Sequence, residues 1–473
     1  MAKKKVAIVL SGGASFGAYI AGAIEELLVA FRHSDAYEID IVTGSSAGGI
    51  TSALVTHGLL YTAGTTALAE VWLDKMDIVD MLAPELFDEP FSLLNIHPLM
   101  QEARKLISWP ADQQPARAAF CAPTLTLSLP ITNESLLPYV SAFAQPAAGR
   151  TEPYVQYRAT EQETFYFGPT AVPTDPIWAR LADVTQATAA IPFVFPPVRL
   201  QRSADPSHGD QQYIERPNFQ GDAYFWYVDG GIFNGLPVDL AWYHANKQPE
   251  DLAERVILVV NPWRATTDPP PLDPHERGVL GRLFNFLSIM YAESEAFQFQ
   301  RGVIAPATAP AAADDTRSLE GVDRPPEELL NRFALVMPLP GHPLRGGQLT
   351  ALSGFFDRRF REYNYRRGAA DGQRLARTLL QIDYPAPQPA AYYDPDGDAR
   401  LDVDLTTYAG LAHIPSTRDP RRSVQQVFED ALDGRIKALL HHWNLPGPDA
   451  LLDIPLAALI KHEVLREIAA TWK

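Results

Sequence analysis

The first sixty residues run twice through one pattern, and that repetition narrows the fold before any other feature does. Residues 6–10 (VAIVL) form a short, β-branched apolar run halted by Ser11-Gly12-Gly13, which predicts a buried strand. Residues 17–31 follow, with Ile20, Ala23, Ile24, Leu27 and Leu28 at helical spacing. Residues 39–43 repeat the strand and residues 48–59 the helix, again across a glycine-rich junction. Parallel neighbours need a long crossover, and a helix is the usual one. Strand, glycine turn and helix in succession therefore predict an α/β fold with a predominantly parallel central sheet flanked by helices.

Further strands are expected at 124–130, 163–167, 224–228 and 256–261, with 131–162 read as an excursion over the surface and 202–221 as a loop. Beyond Pro262 the character changes. Proline-rich and low-complexity stretches at 268–274 and 304–315 read as linkers. Between them Leu280, Leu283, Phe284, Leu287, Met290 and Tyr291 make an apolar helical stripe, and 423–443 and 449–472 read as two more amphipathic helices. A chain of 473 residues exceeds the size at which one core usually stops growing. Two units are expected: 1–267 carrying the α/β sheet, and a mainly helical 268–473 packed on it.

Several function classes are disfavoured. A net charge of −17 argues against a protein that tracks nucleic-acid phosphates and against strong attraction to anionic lipid surfaces. The single cysteine, Cys121, allows no internal disulfide. No Cys/His grouping has metal-ligand spacing, so neither a metal nor a cofactor is expected. The apolar run after the N-terminal lysines is shorter than a signal-peptide core and reads as the first strand. No stretch reads as a membrane span. A cytoplasmic location is the expectation, with peripheral membrane contact compatible with it.

The chemistry concentrates in glycine-framed strand ends. Gly44-Ser45-Ser46-Ala47-Gly48 fits G-x-S-x-G where a strand hands over to a helix. That is the setting in which small neighbours permit a strained turn and expose a nucleophile. An ordinary glycine-rich turn is the competing reading. The turn Leu10–Tyr19 (LSGGASFGAY) offers unpaired amides at a helix start, which suit an anion or an oxyanion. Gly17-Ala18-Tyr19 lacks the G-K-[ST] of a P-loop, and Gly12-Gly13 with Gly17 does not fit a dinucleotide fingerprint. A third strand end carries Asp229-Gly230-Gly231, a candidate base where two glycines let another segment approach. An Asp-Gly turn without chemistry is the alternative. None of the eleven histidines sits in a comparable setting.

Together these motifs resemble the patatin-like phospholipase family, whose members use a serine–aspartate dyad without histidine. The family's glycine-rich oxyanion loop corresponds to Gly12-Gly13…Gly17, its G-x-S-x-G to Gly44–Gly48 and its D-G-[GA] to Asp229-Gly230-Gly231. Residues 187–198 (ATAAIPFVFPPV) are similar to the family's A-S-x-A-x-P-x-x-F-P-P-V block. The resemblance spans 4–262. It implies a patatin-like fold, Ser46 and Asp229 as the catalytic pair, and Gly12, Gly13 and Ala14 as oxyanion donors. It also implies hydrolysis of the carboxylic esters of lipids or other acyl esters. Ala14 stands where the family has its third glycine and Phe16 where it has arginine. Acyl transfer by the same dyad, or a non-catalytic lipid- or partner-binding protein, are the alternatives at this level.

Overall fold

The glycine-stopped run at 6–10 becomes the hub of the sheet. The computed structural model describes residues 3–82, 92–95, 100–101, 104–105, 114–140, 155–174, 176–203, 216–217, 222–248, 255–263, 279–299, 332–339, 344–346, 351–385, 408–442 and 453–471. In it β1 (Lys4–Leu10) pairs in parallel with β2 (Tyr37–Gly44) on one side. On the other side it pairs, also in parallel, with β8 (Val256–Val260). Val6–Leu10 is buried throughout and Val256–Val260 nearly so. Such unbroken apolar runs are what strands covered by helices on both faces require.

Helix α1 (Gly17–Arg32) joins β1 to β2, and α2 (Ala47–Tyr61) leaves β2. The short α3 (Ile78–Met81) comes before β3 (Cys121–Val140), which lies parallel to β2 and antiparallel to β4 (Val155–Phe167). Next come α4 (Ile177–Thr188), β5 (Val198–Ser203), the two-residue β6 (Arg216–Pro217) and β7 (Asp222–Asp229). With β9 at Phe333–Val336, the strand order is β5-β7-β3-β2-β1-β8-β9, with β4 and β6 on β3. The chain leaves β1 toward β2 and returns on its other side through β8. The carboxyl end of β1 is thus a point where the winding reverses, the place where open α/β sheets form their crevice.

Two expectations are corrected here. The excursion at 131–162 is largely sheet, since β3 runs on to Val140 and β4 begins at Val155. Its polar residues read as surface because their partners lie far along the chain. The buried Asn133 Nδ2 donates to Glu161 Oε1 at 2.8 Å, Arg202 pairs with Glu161 at 2.8 Å, and Arg180 grips Glu163 with two 3.0 Å bonds. Likewise Arg202 and Ser203 belong to β5 and Arg216-Pro217 to β6, whereas 204–215 and 218–221 lie outside the described residues.

The region beyond residue 267 supplies β9 (Phe333–Val336), parallel to β8, together with helices. Four residues are too few for a period to betray a strand. The helices there are α7 (Val279–Phe299), α8 (Arg358–Thr378), α9 (Val424–His442) and α10 (Asp453–Thr471). They follow α5 (Gly231–Asn234) and α6 (Val238–Asn246). The stretches expected as linkers, 268–274 and 304–315, lie outside the described residues.

By length and composition Ala14–Arg32 could cross a membrane, which the sequence reading missed. Here α1 is a core helix closed off by α8. A Cβ on Gly22 would collide with the Tyr365 carbonyl, and one on Gly368 with that of Tyr19. The two backbones can approach this closely only because glycines face each other. Tyr19 Oη adds a 3.0 Å bond to Asp371 Oδ2. Truncation after residue 267 would remove β9 from the edge of β8 and α8 from an almost wholly apolar α1. The expected product is aggregated chain, checked by the soluble fraction on expression. A soluble, ester-cleaving 1–267 fragment would contradict this.

Candidate active site

Ser46 occupies the junction of β2 and α2 with φ 54° and ψ −122°. A non-glycine residue held there costs about 1–3 kcal/mol and persists only where its surroundings enforce it. The surroundings here do so. Ser45 N–H donates to Leu10 O at 3.1 Å, tying the turn to the end of β1. Ser46 N–H donates to Thr188 Oγ1 at 3.3 Å, and that hydroxyl donates to Pro130 O at 2.6 Å. A Cβ on Gly48 would strike Leu10 O, and one on Gly44 would strike Gly48 O. Both glycines of G-x-S-x-G are therefore demanded by crossing backbones. The two serines of the motif are placed differently. Ser45 is fully buried and its hydroxyl has no partner among the described residues, whereas Ser46 Oγ donates to Asp229 Oδ2 at 2.6 Å.

Asp229 ends β7, opposite Ile131 of β3. Its backbone is pinned on both sides: its N–H donates to Ala190 O at 2.9 Å, and Thr132 Oγ1 donates to its carbonyl at 2.8 Å. The second carboxylate oxygen, Oδ1, accepts the Gly231 amide at 2.7 Å. Side chain and backbone are fully buried. Burial is the dominant influence and pushes the carboxyl up to about 7, while the bonds from Ser46 and the Gly231 amide and the nearby Tyr291 hydroxyl pull partly back. A carboxylate left at its usual value would be a feeble base for a hydroxyl. Raised toward neutrality, it is far better matched to taking a proton.

Two roles of the 187–198 block emerge from this geometry. Thr188 and Ala190 hold the turns of Ser46 and Asp229 from behind. Ile191 and Phe195 help to line an apolar pocket that opens on Ser46, with Ile50, Trp72, Met76 and Phe355. The pocket wall beside Ser46 is thus hydrocarbon.

The three residues expected as oxyanion donors are arranged unequally. Gly12 lies beside Ser46, close enough that an added Cβ would touch the serine Cβ at 3.4 Å. Its N–H, however, is committed to Gly235 O at 2.8 Å. Its carbonyl accepts Trp263 Nε1 at 3.0 Å and the Ser11 hydroxyl at 2.7 Å. Gly13 and Ala14 N–H donate to no acceptor among the described residues, and Ala14, at φ 45°, lines the pocket with Ser46. Phe16 is buried edge-on against Trp263 with centroids 5.1 Å apart, so this position props the turn and supplies no charge.

Among the described residues no histidine bonds Ser46 Oγ or the Asp229 carboxyl, whose partners are each other and the Gly231 amide. His57, the histidine nearest in sequence, packs against Tyr61 and Trp178 at 5.4 and 5.3 Å.

One contributor escaped the sequence reading. Tyr291, taken as the end of an apolar stripe, lies on α7 with its ring against Gly231 and its hydroxyl facing Asp229, short of full hydrogen-bond geometry. Glu295, one turn on, faces Ser11 Oγ and Asn261 Nδ2, both at 3.3 Å. Burial pushes its carboxyl up to about 7. The signal available was the polar set Tyr291, Ser294, Glu295 and Gln298, which shares one helical face. On the opposite side Phe286, Ile289 and Phe297 are exposed. The side chains of Leu280, Leu283, Phe284 and Leu287 lie outside the described residues.

Among known proteins, the crystal structure of VipD from Legionella pneumophila aligns over 99% of this chain and 89% of its own, at 12% identity and a TM-score of 0.26. No curated protein sequence matches the chain. A family model of patatin-like phospholipases matches residues 8–242, a span that includes Gly12, Ser46, residues 187–198 and Asp229. Through these residues the chain belongs to the patatin-like phospholipase family.

Proposed function

We propose that this protein is a serine acyl hydrolase that cleaves carboxylic esters of lipids through an acyl-Ser46 intermediate. The observation that carries the reading is the 2.6 Å contact between Ser46 Oγ, on a strained turn, and a buried Asp229 carboxyl raised to about 7. Asp229 in its ionised form accepts the hydroxyl proton as Ser46 Oγ attacks the acyl carbonyl carbon. Negative charge then gathers on the former carbonyl oxygen. Gly13 and Ala14 N–H, together with the amino end of α2, are the donors that would stabilise it. Collapse expels the alcohol or lysolipid, which takes the proton from Asp229. Water, deprotonated by the same carboxylate, then releases the fatty acid and restores Ser46. Gly12 acts in this scheme as scaffold, since its amide is committed to Gly235.

The hydrocarbon lining around Ile50, Trp72, Met76, Ile191 and Phe195 favours an acyl chain beside Ser46. With Phe16 buried and uncharged and the chain at −17 overall, neutral or zwitterionic lipids are the expected substrates. Purified protein should hydrolyse p-nitrophenyl esters. In a parallel assay it should turn over monoacylglycerol and phosphatidylcholine faster than phosphatidylglycerol. Faster cleavage of phosphatidylglycerol at low salt would overturn the headgroup preference, and inertness toward every ester would overturn the hydrolase reading.

A further inference from the structure

Helix α7 lies outside the segment that matches the family, yet its inward face meets both halves of the site. The buried Ser294 is the link. Its Oγ accepts the Gly235 amide at 3.0 Å and donates to Gly231 O at 3.0 Å, with Tyr291 O at 3.1 Å as the alternative acceptor. Each of those glycines touches the site directly. Gly231 N–H holds Asp229 Oδ1 at 2.7 Å, and Gly235 O receives Gly12 N–H at 2.8 Å. One hydroxyl thus fixes the loop of the base and the turn beside the nucleophile against each other.

We infer that Ser294 is a positioning residue that holds Asp229 and the Gly12–Ala14 turn in register for the reaction at Ser46. The inference rests on the hydrolase reading above. A cap that served only to end α5 would need neither contact to reach the site. Here both lead on, by a single further hydrogen bond, to Asp229 and to Gly12. The neighbours on α7 act at the same two places: Tyr291 lies over Gly231 and Asp229, and Glu295 reaches Ser11, whose hydroxyl donates to Gly12 O. The titratable groups around the clamp are Asp229 on β7, Tyr291 and Glu295 on α7, and Asp239 on α6, which bonds Asn234 Nδ2 at 2.9 Å.

Losing the hydroxyl frees Gly231, loosens its amide from Asp229 and so weakens a bond that favours the charged form. Ser294→Ala should lower kcat for p-nitrophenyl butyrate by about 10- to 100-fold, the scale of a small misplacement of reacting groups. KM should stay near the wild-type value, and the pH at which kcat is half-maximal should move upward. Ser294→Thr, which keeps the hydroxyl, should recover most of kcat. Should the alanine variant fail to fold, Ser294→Cys keeps the volume and weakens both bonds, and it carries the same expectation. Wild-type kcat and pH profile in Ser294→Ala or Ser294→Cys would overturn the assignment while leaving the dyad standing. Equal impairment of the threonine and alanine variants would do the same. An inactive wild-type chain would overturn the hydrolase reading and this assignment together.

Discussion

Ser46→Ala should abolish ester turnover, with kcat falling by about 10⁴-fold or more, the usual scale for removing a nucleophile. The fold should survive. Alanine keeps the Cβ that already fits at φ 54°, and the bonds that hold the turn are made by backbone groups. Ser45→Ala is the matching control. Its hydroxyl is buried without a partner among the described residues, so its removal should leave kcat within about threefold and stability unchanged or slightly raised. Steady-state kinetics and thermal melts on the two variants decide the matter. Comparable loss of activity in both would mean that the reacting hydroxyl had been misassigned.

Asp229→Asn should be nearly as damaging, at about 10³- to 10⁴-fold in kcat, by analogy with other base-to-amide exchanges. Its amide oxygen can still receive Gly231 N–H, which turns the NH₂ group toward Ser46 Oγ. A donor then faces the hydroxyl where an acceptor is needed. In the proposed mechanism the working form of the wild type is the carboxylate. A carboxyl raised to about 7 is mostly protonated below that pH and mostly ionised above it. Activity should therefore rise through pH 7 and level off above. Such a limb resembles that of an imidazole, so its position alone does not identify the group. Single histidine-to-alanine substitutions separate the two possibilities. Each of the eleven should leave a folded enzyme with the same limb. One histidine as essential as Ser46 would turn the dyad into a triad.

The fold around the dyad was legible because its residues obey local rules. VAIVL and the helix after it could hardly be anything else, and β1, α1, β2 and α2 match their expected limits closely. Gly44 and Gly48 marked the turn for the reason found in three dimensions, that crossing backbones leave no room for a Cβ. Features set by distant partners were hidden. Asn133, Glu161 and Glu163 look like solvent-facing residues until Tyr227, Arg180 and Arg202 are brought against them. The direction of the Gly12 amide depends on Gly235, more than two hundred residues away. Ser294 showed only as one member of a polar helical face, because a serine inside a helix reads as surface until the glycines it clamps are known.

The most direct test is to react the protein with a fluorophosphonate and locate the adduct by peptide mass spectrometry. The expected result is a single stoichiometric adduct on Ser46, formed faster as the pH rises through about 7 and not formed by Asp229→Asn. No adduct on the folded wild-type chain, or an adduct on another serine, would contradict the pairing of Ser46 with Asp229 as the catalytic centre.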